Sequence, residues 1–255
     1  MKKLLILLTG FLTAAITLHA QQKHSKFFAQ LSVGSSFALG KFGNKAYDGF
    51  NNADPSGNAK TGLAGQLSLG YYLNESFGVL LLPGYSVHKT DHSKFEESLK
   101  GTHTSDPSYQ VSIKTDRWKL IKLMAGGFFV TPLTESSKLA LVTKLTAGVC
   151  KTDLPGYSYS EIAMNGGFRS WATQGKVSLP WAFCYQVSVG LKYKLKDKLH
   201  VLFDINSFNS TPQKEQTIYT FSTTPLGAPV LTPEKKMVKY KLAELNTLVG
   251  INFDF

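Results

Sequence analysis

The side chains in this sequence best suited to chemistry fall into three groups. His88, Asp91, His92 and His103 lie close together. Imidazole and carboxylate at such spacing suit a divalent cation or a general base, but spacing alone holds no nucleophile beside a base. Histidines in a loop are ordinarily solvated, so we expect no catalytic and no metal site. Cys150 and Cys184 form the second group, and a disulfide between them is one expectation, with two free thiols as the alternative. The third group is the charged set Lys144, Lys192, Asp204 and Glu244. Gly40-Lys41, Gly126-Gly127 and Gly166-Gly167 lack a phosphate-loop pattern, and no cofactor is expected.

What these groups can do depends on the elements that carry them. The chain has 255 residues, 43% hydrophobic and 18% charged, with a net charge of +11. A charged fraction below the roughly 25% of soluble domains, with abundant Tyr, Phe and Gly, excludes disorder and coiled coil. Met1 to Ala20 has the basic start, apolar run and small final residue of a cleaved secretory signal peptide. Residues 21–255 then form one domain. No later apolar run approaches the roughly 20 residues of a membrane-spanning helix, so any insertion must be by strands.

Periodicity decides the class. From Trp181 to Leu195 the odd positions are Trp, Phe, Tyr, Val, Val, Leu, Tyr and Leu, whereas the even ones are small, polar or cationic. Such alternation is the mark of a strand with one apolar face. Leu63 to Leu73 and Ala243 to Phe255 repeat it. The second face is rich in Gly, Ser, Gln and Asn, which suits a narrow, hydrated barrel interior with the apolar face toward lipid. We therefore predict an all-β, antiparallel up-and-down transmembrane β-barrel with eight strands: Phe27–Gly40, Gly62–Leu73, Phe77–His88, Tyr109–Val130, Leu139–Lys151, Trp181–Leu195, Leu199–Phe208 and Lys239–Phe255. Short and long connections alternate, which places the turns and both termini in the periplasm and the long loops outside. Ten strands, with a hairpin drawn from a long loop, is the alternative. Pro83 predicts a bulge or an early end to the third strand, and the apolar phase blurs along the fourth.

Aromatics near the turns (Phe27, Phe28, Tyr71, Tyr72, Phe77, Phe128, Phe129, Tyr193, Phe253 and Phe255) and near the loops (Phe37, Tyr85, Trp118, Trp181 and Tyr240) predict two interfacial girdles. The inferred inward face carries Lys144, Lys192, Asp204 and Glu244. In so narrow a lumen charges must pair, so Asp204 and Glu244 are expected to meet Lys144 or Lys192 and plug the barrel. Cys150 and Cys184 also face inward, near the loop ends of adjacent strands.

The leader, the alternating segments and the terminal Val249, Ile251, Phe253, Phe255 ladder resemble small Gram-negative outer-membrane β-barrel proteins of the OmpA/OmpX type, including PorT-like barrels. The resemblance implies an outer-membrane location and a final strand read by the barrel-assembly machinery. It is weak for role, because such families hold adhesins, channels, secretion accessories and enzymes. No loop carries a basic patch, which argues against nucleic acid. Cations at the strand ends could meet lipopolysaccharide phosphates. The reading is a monomeric, non-enzymatic barrel whose long loops contact unidentified envelope or external protein partners. A small-solute channel or porin is the main competitor, followed by an outer-membrane enzyme and a soluble lipocalin-like carrier.

Overall fold

The computed structural model describes residues 26–45, 56–94, 96–97, 109–134, 136–163, 169–223 and 229–255. The leader Met1 to Ala20 and His103 lie outside the described residues. The chain is almost entirely strand: β1 (Phe27–Ala38), β2 (Ala59–Tyr72), β3 (Phe77–Thr90), β4 (Tyr109–Thr115), β5 (Arg117–Pro132), β6 (Leu139–Leu154), β7 (Tyr157–Ala163), β8 (Arg169–Gln174), β9 (Val177–Ser178), β10 (Ala182–Lys194), β11 (Leu199–Ser210), β12 (Gln213–Thr223), β13 (Pro229–Lys239) and β14 (Leu242–Asp254). A single helical turn, α1 (Gly40–Gly43), follows β1.

Eight of these strands close into an antiparallel barrel in the order β10-β11-β14-β1-β2-β3-β5-β6, with β6 returning to β10. The seam between first and last strands is continuous, from Phe28 opposite Asp254 to Ala38 opposite Glu244. Closure satisfies the strand backbone within the ladder, as a hydrocarbon environment demands. Side chains alternate strictly. On the outside, Leu31, Val33, Leu63, Leu145, Phe183, Val249 and Ile251 are exposed, and this lipid-facing belt surrounds the wall. Phe27 and Tyr71, with rings 4.7 Å apart, and Phe77 and Phe129, 4.8 Å apart, ring its turn end.

Several expectations need correction. Tyr109–Val130 is not one strand. The chain breaks at Asp116, and β4 leaves the barrel to pair with β7, which pairs with β8 in a separate three-stranded sheet. Only β5 lines the barrel. The blurred phase has a physical cause: Trp118, Leu120, Met124 and Phe128 of β5 point inward while Ile121 and Leu123 point outward, so both faces are apolar. The loop Asn209–Val238 is likewise structured, as the hairpin β12–β13. Pro83 makes no bulge. It stays in register with Leu123 of β5, while on the β2 side the recorded pairs skip from Gln66–Gly84 to Leu69–Leu81 without a shift. A proline lacks an N–H to donate to one neighbour, yet its fixed φ suits an extended chain. The irregularity falls instead between Ala59 and Gly62.

The lumen is also less polar than its Gly, Ser, Gln and Asn suggested. Phe28, Phe128 and Trp118, expected in the girdles, are buried inside. Phe28 and Phe128 pack edge to face at 5.2 Å, and Tyr72 stands 5.0 Å from Phe128, closing the turn end. Space for these rings comes from glycine: a Cβ on Gly70 would lie 2.1 Å from the Phe28 ring, and one on Gly78 2.4 Å from that of Phe128. At the loop end α1 folds into the mouth. Gly40, at φ +53, turns the chain, and Phe42 is buried 5.2 Å from the Trp118 ring. Trp118 Nε1 donates to the Gly57 carbonyl at 2.9 Å.

Placing a cation in the middle of the outer belt tests this orientation. Leu145→Arg is expected to destabilise the protein in phospholipid vesicles by about 2–4 kcal/mol, as for arginine at a bilayer midplane. Equilibrium guanidinium unfolding reads this out, and a neutral result would mean that the face meets water.

Candidate functional site in the barrel lumen

Inward positions of six strands (β3, β5, β6, β10, β11 and β14) bring charged side chains that are distant in sequence into three tiers. In the tier nearest the loops, Glu244 at the start of β14 accepts hydrogen bonds from Ser86 Oγ at 2.7 Å and from Lys122 Nζ, and lies 2.9 Å from His88 Nε2. His88 Nδ1 faces the Lys60 carbonyl at 2.9 Å, and Ser36 Oγ approaches Nε2 at 3.2 Å. The carbonyl can only accept, so Nδ1 is the donor in that contact. Lys122 Nζ also sits 4.0 Å above the Phe208 ring, a cation–π contact strengthened by burial.

In the second tier Lys144 Nζ donates to Asp204 Oδ2 at 2.9 Å and to Gln30 Oε1 at 3.2 Å, while Gln30 Nε2 donates to the same Asp204 oxygen at 2.8 Å. Asp204 fits because it stands opposite Gly190, where a Cβ would lie 2.1 Å from Oδ1 and 2.7 Å from the Phe203 carbonyl. At the turn end Lys192 Nζ donates to Asp254 Oδ2 at 3.2 Å and to the Tyr72 hydroxyl at 3.1 Å, with His200 Nδ1 3.5 Å from Asp254.

The expected charge cluster is thus divided. The structure pairs Asp204 with Lys144. Glu244 meets neither Lys144 nor Lys192: its partners are Lys122 and His88, because Glu244 lies near the loop end and Lys192 near the turns. Lys122 reads from sequence as a rim cation, since the unreadable phase of β5 hides its inward orientation. His88 reads as the last residue of the third strand, but its grouping with the loop histidines leaves its inward side undrawn. Alternation counted forward along β3 from the outward Val79 and Leu81 places it in the lumen.

Cys150 and Cys184 face the lumen as free, buried thiols. They are diagonal neighbours, Cys150 opposite Ala182 and Cys184 opposite Gly148, and Cys150 Sγ lies 3.1 Å from Ser210 Oγ. The terminal ladder residues Val249, Ile251 and Phe253 face outward on β14, and the Phe255 N–H donates to the Phe27 carbonyl at 2.8 Å. Just past the end of β3, Asp91 pairs with Lys45, which follows α1, at 2.9 Å and with Lys60 of β2 at 3.6 Å. His92 lies 3.9 Å from Glu96. Among the described residues no three His, Cys, Asp or Glu side chains are placed to share a metal ion.

The Lys122–Glu244 and Lys144–Asp204 pairs are almost fully buried, so removing one member strands the other. Glu244→Gln is expected to cost about 3–5 kcal/mol, and the double change Lys122→Met with Glu244→Met distinctly less. Denaturant titration in vesicles checks both. A second expectation concerns pH. Partial burial opposes charge on the Asp91 carboxyl, but hydrogen bonds from Lys45 and Ser93 and the nearby Lys60 outweigh it and hold the group well below its ordinary value. A lowered folded-state pKa contributes stability that is complete above the unfolded value of about 4 and lost as pH falls toward the folded one. The stability gap between the native protein and Asp91→Asn should therefore shrink steadily below about pH 4.

No family model matches the chain, and no curated protein matches it. Among solved structures the chain is similar to Neisserial surface protein A, at 12% identity and TM-score 0.43 over 92% of this chain and 100% of that one. It is also similar to Ail, the attachment invasion locus protein of Yersinia pestis, at 13% identity and TM-score 0.40 over 89% and 99%. A third likeness is to a major outer membrane protein from Thermus thermophilus, at 13% identity and TM-score 0.44 over 91% and 99%.

Proposed function

We propose that this chain is a monomeric integral outer-membrane barrel without catalytic activity, whose lumen is closed and whose extramembrane strands bind an envelope or external partner. The observation that carries this reading is the contrast between the two ends. At the turn end the strands stop at connections as short as Leu73–Ser76 and Leu195–Lys198. At the loop end the chain continues as ordered β-structure, the hairpin β12–β13 and the sheet β4-β7-β8, far more than closing a wall requires. Strands whose outer edges have no partner among the described residues are suited to recognition by edge or face. The leader would be removed after export, and the Val249, Ile251, Phe253, Phe255 ladder would be read by the assembly machinery.

The closed lumen is supported by its contents. Aromatic side chains fill both ends, and the charges between them are paired. A small-solute channel is the second reading, favoured by the middle of the lumen. There Ser68 Oγ, Asn206 Oδ1 and Asn246 Oδ1, among the described residues, find no hydrogen-bond partner in the protein, and polar atoms of this kind are ordinarily hydrated.

Two measurements separate these readings. In planar bilayers the purified protein is expected to give no steady conductance, and a stable open level would favour the channel. Replacing residues 213–239 with a short turn should leave the barrel folded, as judged by heat-modifiable migration. It should also abolish the partner crosslinks formed by the native chain in intact cells. Unchanged crosslinks would move the partner surface elsewhere.

A further inference from the structure

The outer wall carries one charged feature that the lumen does not explain. On β3, β5 and β6 the outward positions run apolar from the turn end and then change character near the loops. Lys89 follows Val87, Lys119 precedes Ile121, and Lys151 follows Val149. Arg117 completes the group. Register brings them together across strands: Lys89 stands directly opposite Arg117, and Lys119 and Lys151 lie on successive outward positions of the β5–β6 pair, opposite Asp153 and Ile121. Cross-strand partners share a face, so four cations and one carboxylate occupy a single patch. That carboxylate is engaged by the Ser178 hydroxyl. Asp116, between β4 and β5, is paired with Lys176 at 3.6 Å. Among the described residues none of the four cations forms an ion pair.

Like charges directly opposite on a sheet repel, as Lys89 and Arg117 do, and the single carboxylate of Asp153, opposite Lys119, leaves three cations in excess. An external anion would offset that excess. The patch is continuous below with exposed Ile121, Leu123 and Val149 and is flanked by exposed Trp181, so a free anion would leave the apolar part unused. We propose that this face binds a phosphorylated lipid of the outer leaflet, its phosphates held by Lys89, Arg117, Lys119 and Lys151 and its acyl chains lying along the stripe beneath. Arg117 supplies the planar fork that grips phosphate with two hydrogen bonds, and the lysines supply mobile point charges. The inference rests on the outer-membrane reading and assigns that reading a lipid and a face.

The test titrates the full detergent-solubilised protein with a bisphosphorylated acylated glucosamine lipid, its dephosphorylated counterpart and inorganic phosphate, reading bound lipid by native mass spectrometry. The phosphorylated lipid is expected to bind at least tenfold more tightly than the dephosphorylated one, and inorganic phosphate at equal concentration should not displace it. Changing Lys89, Arg117, Lys119 and Lys151 together to Gln should remove that preference. Changing Lys138, Lys194, Lys196 and Lys198 at the turn end to Gln should leave it intact. If the fourfold loop-end variant does not fold, the pairs Lys89→Gln with Arg117→Gln and Lys119→Gln with Lys151→Gln carry the same comparison. Equal loss in both sets, no loss in the loop-end set, or displacement by inorganic phosphate overturns the proposal. Failure of the native chain to insert into zwitterionic phosphocholine vesicles would instead overturn the outer-membrane reading, whatever the headgroup result.

Discussion

Backbone hydrogen bonding in a medium without water is the constraint from which this molecule follows. A sheet in hydrocarbon has no tolerable edge, so β1 must find β14 and β6 must find β10, and the wall becomes a cylinder. Closure with eight strands fixes the diameter, and the diameter leaves an interior that side chains fill. Every inward residue is then constrained by those across the lumen. Phe28 and Phe128 require glycines beneath them, Asp204 requires Gly190, and a carboxylate such as Glu244 can be tolerated at full burial only because Lys122 and His88 reach it from other strands.

The interior is divided by chemistry as well as by height. The inward faces of β3 and β5 carry Leu80, Leu82, Leu120, Met124 and Phe128, an apolar sector facing the polar rows of β1, β10, β11 and β14. Charged pairs cross between the two, since His88 of β3 and Lys122 of β5 reach Glu244 of β14, and dispersion between large side chains holds the rest. Buried ion pairs are poor sources of net stability, so the pairs chiefly specify which strand faces which, while the apolar sector and the lipid-facing belt contribute most of the free energy.

The architecture was legible wherever one face of a strand was apolar and the other was not. Alternation along β10, β11 and β14 revealed the wall, its inward charges and its closed form. It failed at β5, where Trp118, Leu120 and Met124 face inward beside the outward Ile121 and Leu123, and with it went the assignment of Lys122 and the partner of Glu244. Period two says which side a residue faces, but not how high on a tilted strand it sits, and height is what separates Lys192 from Glu244. The strands beyond the wall were hidden for a different reason. Pro229 and Pro233 interrupt β13 and polar residues dominate β12, so neither shows a clean apolar face. The patch on β3, β5 and β6 was half visible as a run of cations, but its membership depends on register, which links Lys89 and Lys151 to a segment many residues away.

The single turn at Gly40–Gly43 carries a consequence of its own. Phe42 is supplied by a connection between two strands and not by the wall, so the tightness of the seal at that mouth is separable from the integrity of the cylinder. A change confined to those few residues would unplug one mouth while leaving every pairing of the ladder, from Phe28 opposite Asp254 to Ala38 opposite Glu244, where it stands.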